Sequence, residues 1–363
     1  MKFSIEKDHI LEALQKVQSV VGQRPSLPIL SNVLLEAENG KLVLTATDQE
    51  VSVRTHIEAD IAEPGSTTLP ARDFFNICRD VPTHQIDISI NEKNLAEISS
   101  GASVFKLEGL SSDDFPPLPS FEESFSYTLD QSVFKDLLQK TYYAASTDES
   151  RIILNGSLIS FKNGKLTVVC TDGRRLVLVE HELDVPEEAE RDLVVPTKTV
   201  NELIKTLQET GEVEIKTSLT QIAFEFGNIF IISKLIEGTY PNYRQVIPAQ
   251  CEERIAIERD VLLAAVRRVS LMLDDQSASV KLEITENQIE LTTTSLKGEA
   301  RESIPVKYSG KNITIAFNPA FLQAPLKHLD SDEIYLELSD ELSPGVIKSN
   351  IPFLYVIMPI RAK

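Results

Sequence analysis

Leu166-Thr-Val-Val-Cys-Thr-Asp172 decides how the chain is organised, because it is one of three versions of the same phrase. The others are Leu42-Val-Leu-Thr-Ala-Thr-Asp48 and Ile289-Glu-Leu-Thr-Thr-Thr-Ser295. Each follows a polar turn, Asn39-Gly40, Asn163-Gly164 or Glu286-Asn287, and reads as a hairpin strand, alternating or fully buried. Their last residues lie 124 and 123 positions apart.

Three further landmarks recur in the same order. Phe3–Val17, Tyr127–Lys140 and Ile255–Val269 pass from alternation into amphipathic helical spacing, with Asp or Ser near the helix start as a capping signal. Thr67–Phe75, Leu193–Val200 and Thr314–Leu322 step from strand to helix, with a proline at the entry, where its fixed φ and missing N–H fit. Alternating strands follow at Gln85–Ile90, Glu212–Lys216 and Glu333–Leu338. A fixed period over four landmarks implies one α+β unit, with two helices and many strands, written three times. The proline-rich joints Phe115–Pro119 and Tyr240–Pro248 set the expected domains at 1–122, 123–249 and 250–363.

Composition narrows the class. No apolar run approaches the roughly 18 residues of a membrane span, and the charged start Met1-Lys-Phe-Ser-Ile-Glu-Lys-Asp does not read as a secretory signal. Cys78, Cys170 and Cys251, odd in number and far apart, fit a reducing cytoplasm rather than a disulfide framework. The net charge of −19 argues against a simple nucleic-acid binder. The charge is nevertheless sorted. The six expected helices, 7–22, 72–80, 131–146, 198–209, 259–272 and 319–329, carry twelve Lys/Arg and eight Asp/Glu, a net of +4. Such helices read either as ordinary solvated faces or as one mildly basic surface able to hold phosphates loosely, with acidic strands elsewhere.

A search for chemistry finds no convincing active site. The five histidines, at 9, 56, 84, 181 and 328, show no metal-ligand spacing, and no glycine-rich phosphate loop is present. No cofactor or metal is therefore expected. Asp172, in Thr171-Asp-Gly-Arg-Arg-Leu176, tempts as a catalytic residue with Arg174 and Arg175. Its equivalents are Asp48 and Ser295, which favours an Asx-type turn that the fold needs three times. The two arginines belong to the middle copy alone, since Glu50-Val51 and Lys297-Gly298 stand in the others, and this asymmetry marks them as functional. A triple-repeat scaffold unrelated to DNA remains a third reading, one that leaves the sorted cations without a use.

The repeat, taken with Ala46-Thr-Asp48, Leu69-Pro-Ala-Arg72, Leu154-Asn-Gly156, Thr171–Leu176, Gly238-Thr-Tyr-Pro-Asn-Tyr243 and Val356-Ile-Met-Pro-Ile-Arg361, closely resembles the bacterial DNA polymerase III β subunit, the sliding clamps, from Met1 to Lys363. The resemblance implies three clamp domains, each with two helices and antiparallel sheets. It also implies a head-to-tail homodimer whose six domains ring duplex DNA without sequence preference. The work implied is tethering: the polymerase III α subunit, the clamp-loader δ subunit, other polymerases and repair proteins would dock, conferring processivity without catalysis. Carried over by motif, the docking pocket is walled by Leu154, Thr171, Gly173, Arg174, Arg175, Leu176, Pro241, Val246, Asn318, Phe321, Val356, Met358, Pro359 and Arg361, with Leu342 and Pro344 at its edge. DNA contact falls to Arg24, Arg72, Arg79 and Lys198, and the dimer seam to Phe105 and Leu107 against Leu271 and Met272. The sequence departs from the family pattern at Arg174 (commonly histidine), Gln245 (commonly arginine) and Pro344 (commonly serine). Ile152 and Ile153 replace a tyrosine pair, which removes any DNA contact made by those rings.

Overall fold

A computed structural model of the chain describes residues 1–22, 27–119, 121, 125–274 and 279–361. Arg24 and the expected joint at 122/123 lie outside the described residues.

All six expected helices form: α1 (Lys7–Gln18), α2 (Ala71–Asp80), α3 (Gln131–Gln139), α4 (Thr197–Thr206), α5 (Arg259–Val269) and α6 (Pro319–His328). The repeat is visible in their packing. α1 buries Ile10, Ala13, Leu14 and Val17, and α5 buries Leu262, Ala265, Val266 and Val269 at the same spacing, the stripe of a helix lying on a sheet. The first helix of each repeat stops earlier than its pattern predicts. Just past α3 the Thr141 hydroxyl donates back to the Leu137 carbonyl at 2.9 Å, and the chain tightens into a 3₁₀ turn at Tyr142–Ala144.

The expected side-chain caps on α1 and α5 are not used. Their N-cap residues are Glu6 and Glu258, neither of which makes a side-chain cap bond. A loop carbonyl accepts the first N–H instead, and it does so in every repeat: His84 from Lys7 (2.7 Å), Gly211 from Gln131 (2.9 Å) and Asp332 from Arg259 (2.8 Å). The cap is tertiary, so local sequence does not announce it.

The chain clusters into two compact units, Met1–Lys135 with Lys198–Leu235, and Asp136–Thr197 with the segment from Ile236 onward. Each holds an eight-stranded antiparallel sheet built from halves of two repeats. In the first unit the order is Phe125–Asp130, Glu212–Thr217, Gln221–Phe226, Ile229–Lys234, Val51–Glu58, Lys41–Thr47, Asn32–Glu38, Gly65–Pro70. In the second it is Arg191–Pro196, Gly156–Lys162, Lys165–Thr171, Arg175–Glu182, Phe353–Ile357, Gly345–Lys348, Glu333–Leu338, Glu253–Glu258. The middle repeat thus gives strands to both units.

The join is the same each time. We call the strand after the Asp48-type turn the turn strand, and the strand ending each repeat the last strand. The turn strand Val51–Glu58 pairs with the last strand Ile229–Lys234, and the turn strand Arg175–Glu182 pairs with the last strand Phe353–Ile357. The remaining turn strand, Gly298–Pro305, edges a four-stranded sheet in the second unit. The remaining last strand, Ser103–Glu108, edges a five-stranded sheet in the first.

One buried acid sits in the first unit. Glu202 on α4 is 4% exposed and accepts the Ser19 hydroxyl, and burial raises its carboxyl above the usual carboxylate range despite Lys205 and Lys198 nearby. A raised folded-state value means its stabilising contribution is present at low pH and lost as pH rises through that value. Glu202→Gln is therefore expected to stabilise the protein at pH 7 and by little at pH 4, read by denaturant unfolding at both.

Candidate protein-docking site

Thr171–Leu176 is a turn held by its own side chains. The Asp172 carboxylate accepts the backbone N–H groups of Arg174 (2.9 Å) and Arg175 (3.0 Å). Asp48 does the same for Glu50 and Val51, and the Ser295 hydroxyl accepts the N–H of Lys297. The turn is a fold requirement, as repeat equivalence implied. Gly173 occupies φ +83°, a left-handed position that Gln49 holds at φ 75° in the first repeat. Thr171 is equally committed, its hydroxyl donating to the Arg175 carbonyl at 2.6 Å and accepting from Gly173.

The arginines behave differently from each other. Arg174 is exposed, and its carbonyl receives the N–H of Met358 at 2.9 Å. Arg175 is only 14% exposed. Its guanidinium bonds Asp172 (3.1 Å) and the Tyr143 carbonyl (2.6 Å) and lies 4.4 Å from the centre of the Phe321 ring. It is a clamp on the turn before it is anything else. Tyr143 in turn stacks on His328 with ring centres 4.7 Å apart, and burial, then Lys327, keeps the imidazole below its usual range. Neither ring is singled out by sequence, because each becomes informative only once the strands place it beside Arg175.

The sheet face turned away from Val177 and Val179 forms an apolar floor. Leu158, Val169, Leu176, Val194 and Val356 cluster there, with Ile153, Leu178, Ile236, Tyr240, Tyr243, Ile247 and Leu354 packed against them. Pairing of the two strands puts Leu176 opposite Val356 and Arg175 opposite Ile357. Beside it lies a depression of about 570 Å³, lined by Val246, Pro344 and Met358 together with Gln245, Ile247, Pro248, Ala249, Gln250, Ser339 and Ser343. Val246, Met358 and Leu342 are 48%, 41% and 68% exposed, an apolar rim open to solvent among the described residues. Of the other expected wall residues, Leu154 is buried, while Pro241 and Arg361 are exposed and Pro359 half-buried. Asn318 is the N-cap of α6, accepting the Ala320 N–H at 2.9 Å, and Leu342 lies in a turn tied by the Asp340 carboxylate.

The expected DNA-binding cations differ in how free they are. Arg72 is exposed and has no ion pair among the described residues. Arg79 bonds the neighbouring Asp80 at 3.0 Å, and Lys198 is paired to Asp48. Lys205, Arg267 and Lys327, on α4, α5 and α6, are also exposed and without an ion pair among the described residues. Of the expected seam residues, Phe105 is 37% and Leu271 76% exposed, with Leu107 and Met272 half-buried.

No group of three His, Cys, Asp or Glu among the described residues could hold a metal ion, and the three cysteines are free. Burial pushes the Cys170 thiol up to about 12, so it is not a nucleophile at neutral pH. No helix among the described residues is long and apolar enough to cross a membrane.

A thrice-written α+β unit with helices of net positive charge in sum, an apolar floor and turns built for geometry defines a binding protein of the clamp class. Comparison with known proteins gives the family. The chain matches the DNA polymerase III beta subunit N-terminal domain over residues 1–119, its central domain over 128–242 and its C-terminal domain over 244–361. It is 37% identical to the beta sliding clamp of Chlamydia muridarum, covering 99% of both chains. It is 32% identical to that of Escherichia coli K12, covering 99% of this chain and 100% of the other. The DNA polymerase III subunit beta of Pseudomonas aeruginosa superposes with a TM-score of 0.95 at 32% identity over all of both chains. A sliding clamp of Bartonella birtlesii bound to griselimycin gives 0.96 at 34%, again over all of both chains. The chain belongs to the DNA polymerase III β subunit family, the non-catalytic sliding clamps of DNA replication.

Arg175→Ala is expected to cost about 2 kcal/mol in denaturant unfolding, because Asp172 and the Tyr143 carbonyl lose a nearly buried partner. Arg174→Ala should leave stability unchanged, since only its backbone takes part in the turn.

Proposed function

We propose that the chain closes head to tail with a second copy into a ring around duplex DNA, and that Leu176, Val246, Val356 and Met358 anchor short peptides from its partners. One observation carries the closure. Both joins inside the chain pair a turn strand with the last strand of the following repeat, and one strand of each kind is left at a sheet edge. An open edge is a template for pairing, and a second copy offers the complement of both edges at once. Two copies of a three-repeat chain then give six repeats and six closed joins. Phe105 and Leu107 on the open last strand, and Leu271 and Met272 beyond α5, supply apolar surface for that contact. On this reading the three clamp domains span 1–122, 123–249 and 250–363.

Sorted charge supports the DNA side. Trimming the helices to their observed ends removes Lys140 from α3 and Glu209 from α4, one charge of each sign, so their net positive charge is unchanged. Arg72, Arg79, Arg24 and Lys198 would hold phosphates loosely, without base readout, while the acidic remainder repels the duplex. The partners proposed are the polymerase III α subunit, the clamp-loader δ subunit, and other polymerases and repair proteins carrying the docking peptide, in the cytoplasm where the chromosome lies. Arg361, Arg174 and Asn318 would orient the peptide at the rim of the floor.

Light scattering should give a particle twice the 40.4 kDa chain mass, retained on circular plasmid after loading and lost when the plasmid is cut. A monomer, or equal loss from circular and linear DNA, would overturn the ring. Val246→Asp is expected to weaken a peptide from the polymerase α subunit by at least about tenfold in calorimetric titration, without changing the mass of the particle.

A further inference from the structure

We infer that the seam between copies is latched by a charge pair, Lys106 of one copy against Glu299 of the other, where both seams inside the chain are uncharged at that position. The inference rests on the proposed closure and names its register. In the first seam Ser52 lies opposite Ile232 and Arg54 opposite Phe230. In the second Leu176 lies opposite Val356 and Leu178 opposite Leu354. Strand register fixes the equivalences: Ser52, Leu176 and Glu299 each stand four residues beyond the Asp48, Asp172 or Ser295 turn position. Ile232 and Lys106 each stand three residues beyond the first residue of their last strand, at Ile229 and Ser103, and Val356 stands likewise beyond Phe353. The same operation sets Ala300 opposite Phe105, Glu299 opposite Lys106 and Arg301 opposite Val104.

The faces agree. Phe105 pairs with buried Ile98, and Ala300 with buried Thr293, so this couple points inward. Lys106 pairs with Glu97, and Glu299 with Thr294, so this couple points outward. Lys106 already sits 3.8 Å from Glu97. Glu299 is exposed and has no ion pair among the described residues. In the closed seam the ammonium would stand between two carboxylates, Glu97 of its own strand pair and Glu299 of the other copy.

The consequence is a difference in kind between seams. Leu176 and Val356, each 2% exposed, make the second seam an apolar floor for docking, and Ser52 with Ile232 makes the first a dry join of the same chain. The seam that must come apart for a ring to be loaded is the one whose outward pair weakens with salt.

The test is the dimer dissociation constant, by sedimentation equilibrium between 50 mM and 500 mM salt, for the parent, K106E, E299K and the double variant K106E/E299K. Both seams of the ring feel each change, so either single reversal should weaken the dimer at least about tenfold at low salt. The double variant should return to within about threefold of the parent. Melting curves matching the parent's would show that the exposed substitutions leave the fold intact. Weak singles without rescue, or singles that bind as the parent does, would overturn the latch while leaving the closure standing. A parent chain that is monomeric at every concentration would instead remove the closure itself.

Discussion

The backbone pairing of a turn strand with the last strand of the next repeat is the contact on which the rest depends. It joins four four-stranded half-sheets into two eight-stranded ones, and it aligns the Asp48-type turns with the helix entries that follow them. Lys198 reaches Asp48 and Arg175 reaches Phe321 because these joins bring a turn and a second helix together. The same pairing leaves two edges open, and an open edge calls for a partner.

Repetition lets one position be read against its equivalents, which a single domain cannot offer. The outward pair is Ser52–Ile232 at the first join and Leu176–Val356 at the second, and the proposed closure would set Lys106 against Glu299. Only the middle version is apolar on both sides, and only there do the expected docking residues gather. An apolar floor at one join alone is thus a matter of two side chains on a backbone built three times. Arg175 shows the complementary lesson: it is peculiar to one copy, yet its guanidinium is taken up by Asp172, the Tyr143 carbonyl and Phe321. Those contacts hold the turn that leads into Leu176.

Helix ends were less legible than helix faces. The stripes Ile10–Val17 and Leu262–Val269 follow from a 3.6-residue period and needed no tertiary knowledge. The caps on the first helices of the three repeats come from His84, Gly211 and Asp332, some 73 to 80 residues away in sequence. Tyr143 and His328 escaped for the same reason, since a stacked pair nearly two hundred residues apart leaves no local signature.

The sequence by itself determined the unit, its period, its turns and the sign of its helices, because hydrophobic period and turn chemistry are local properties of a chain. It also carried the asymmetry of Arg174 and Arg175. Only the tertiary structure decided which strands meet, and so which half of the middle repeat joins each compact unit, where the apolar floor collects and which edges stay open. Strand pairing is chosen by register and burial between segments far apart in the chain, and neither is written in any one of them.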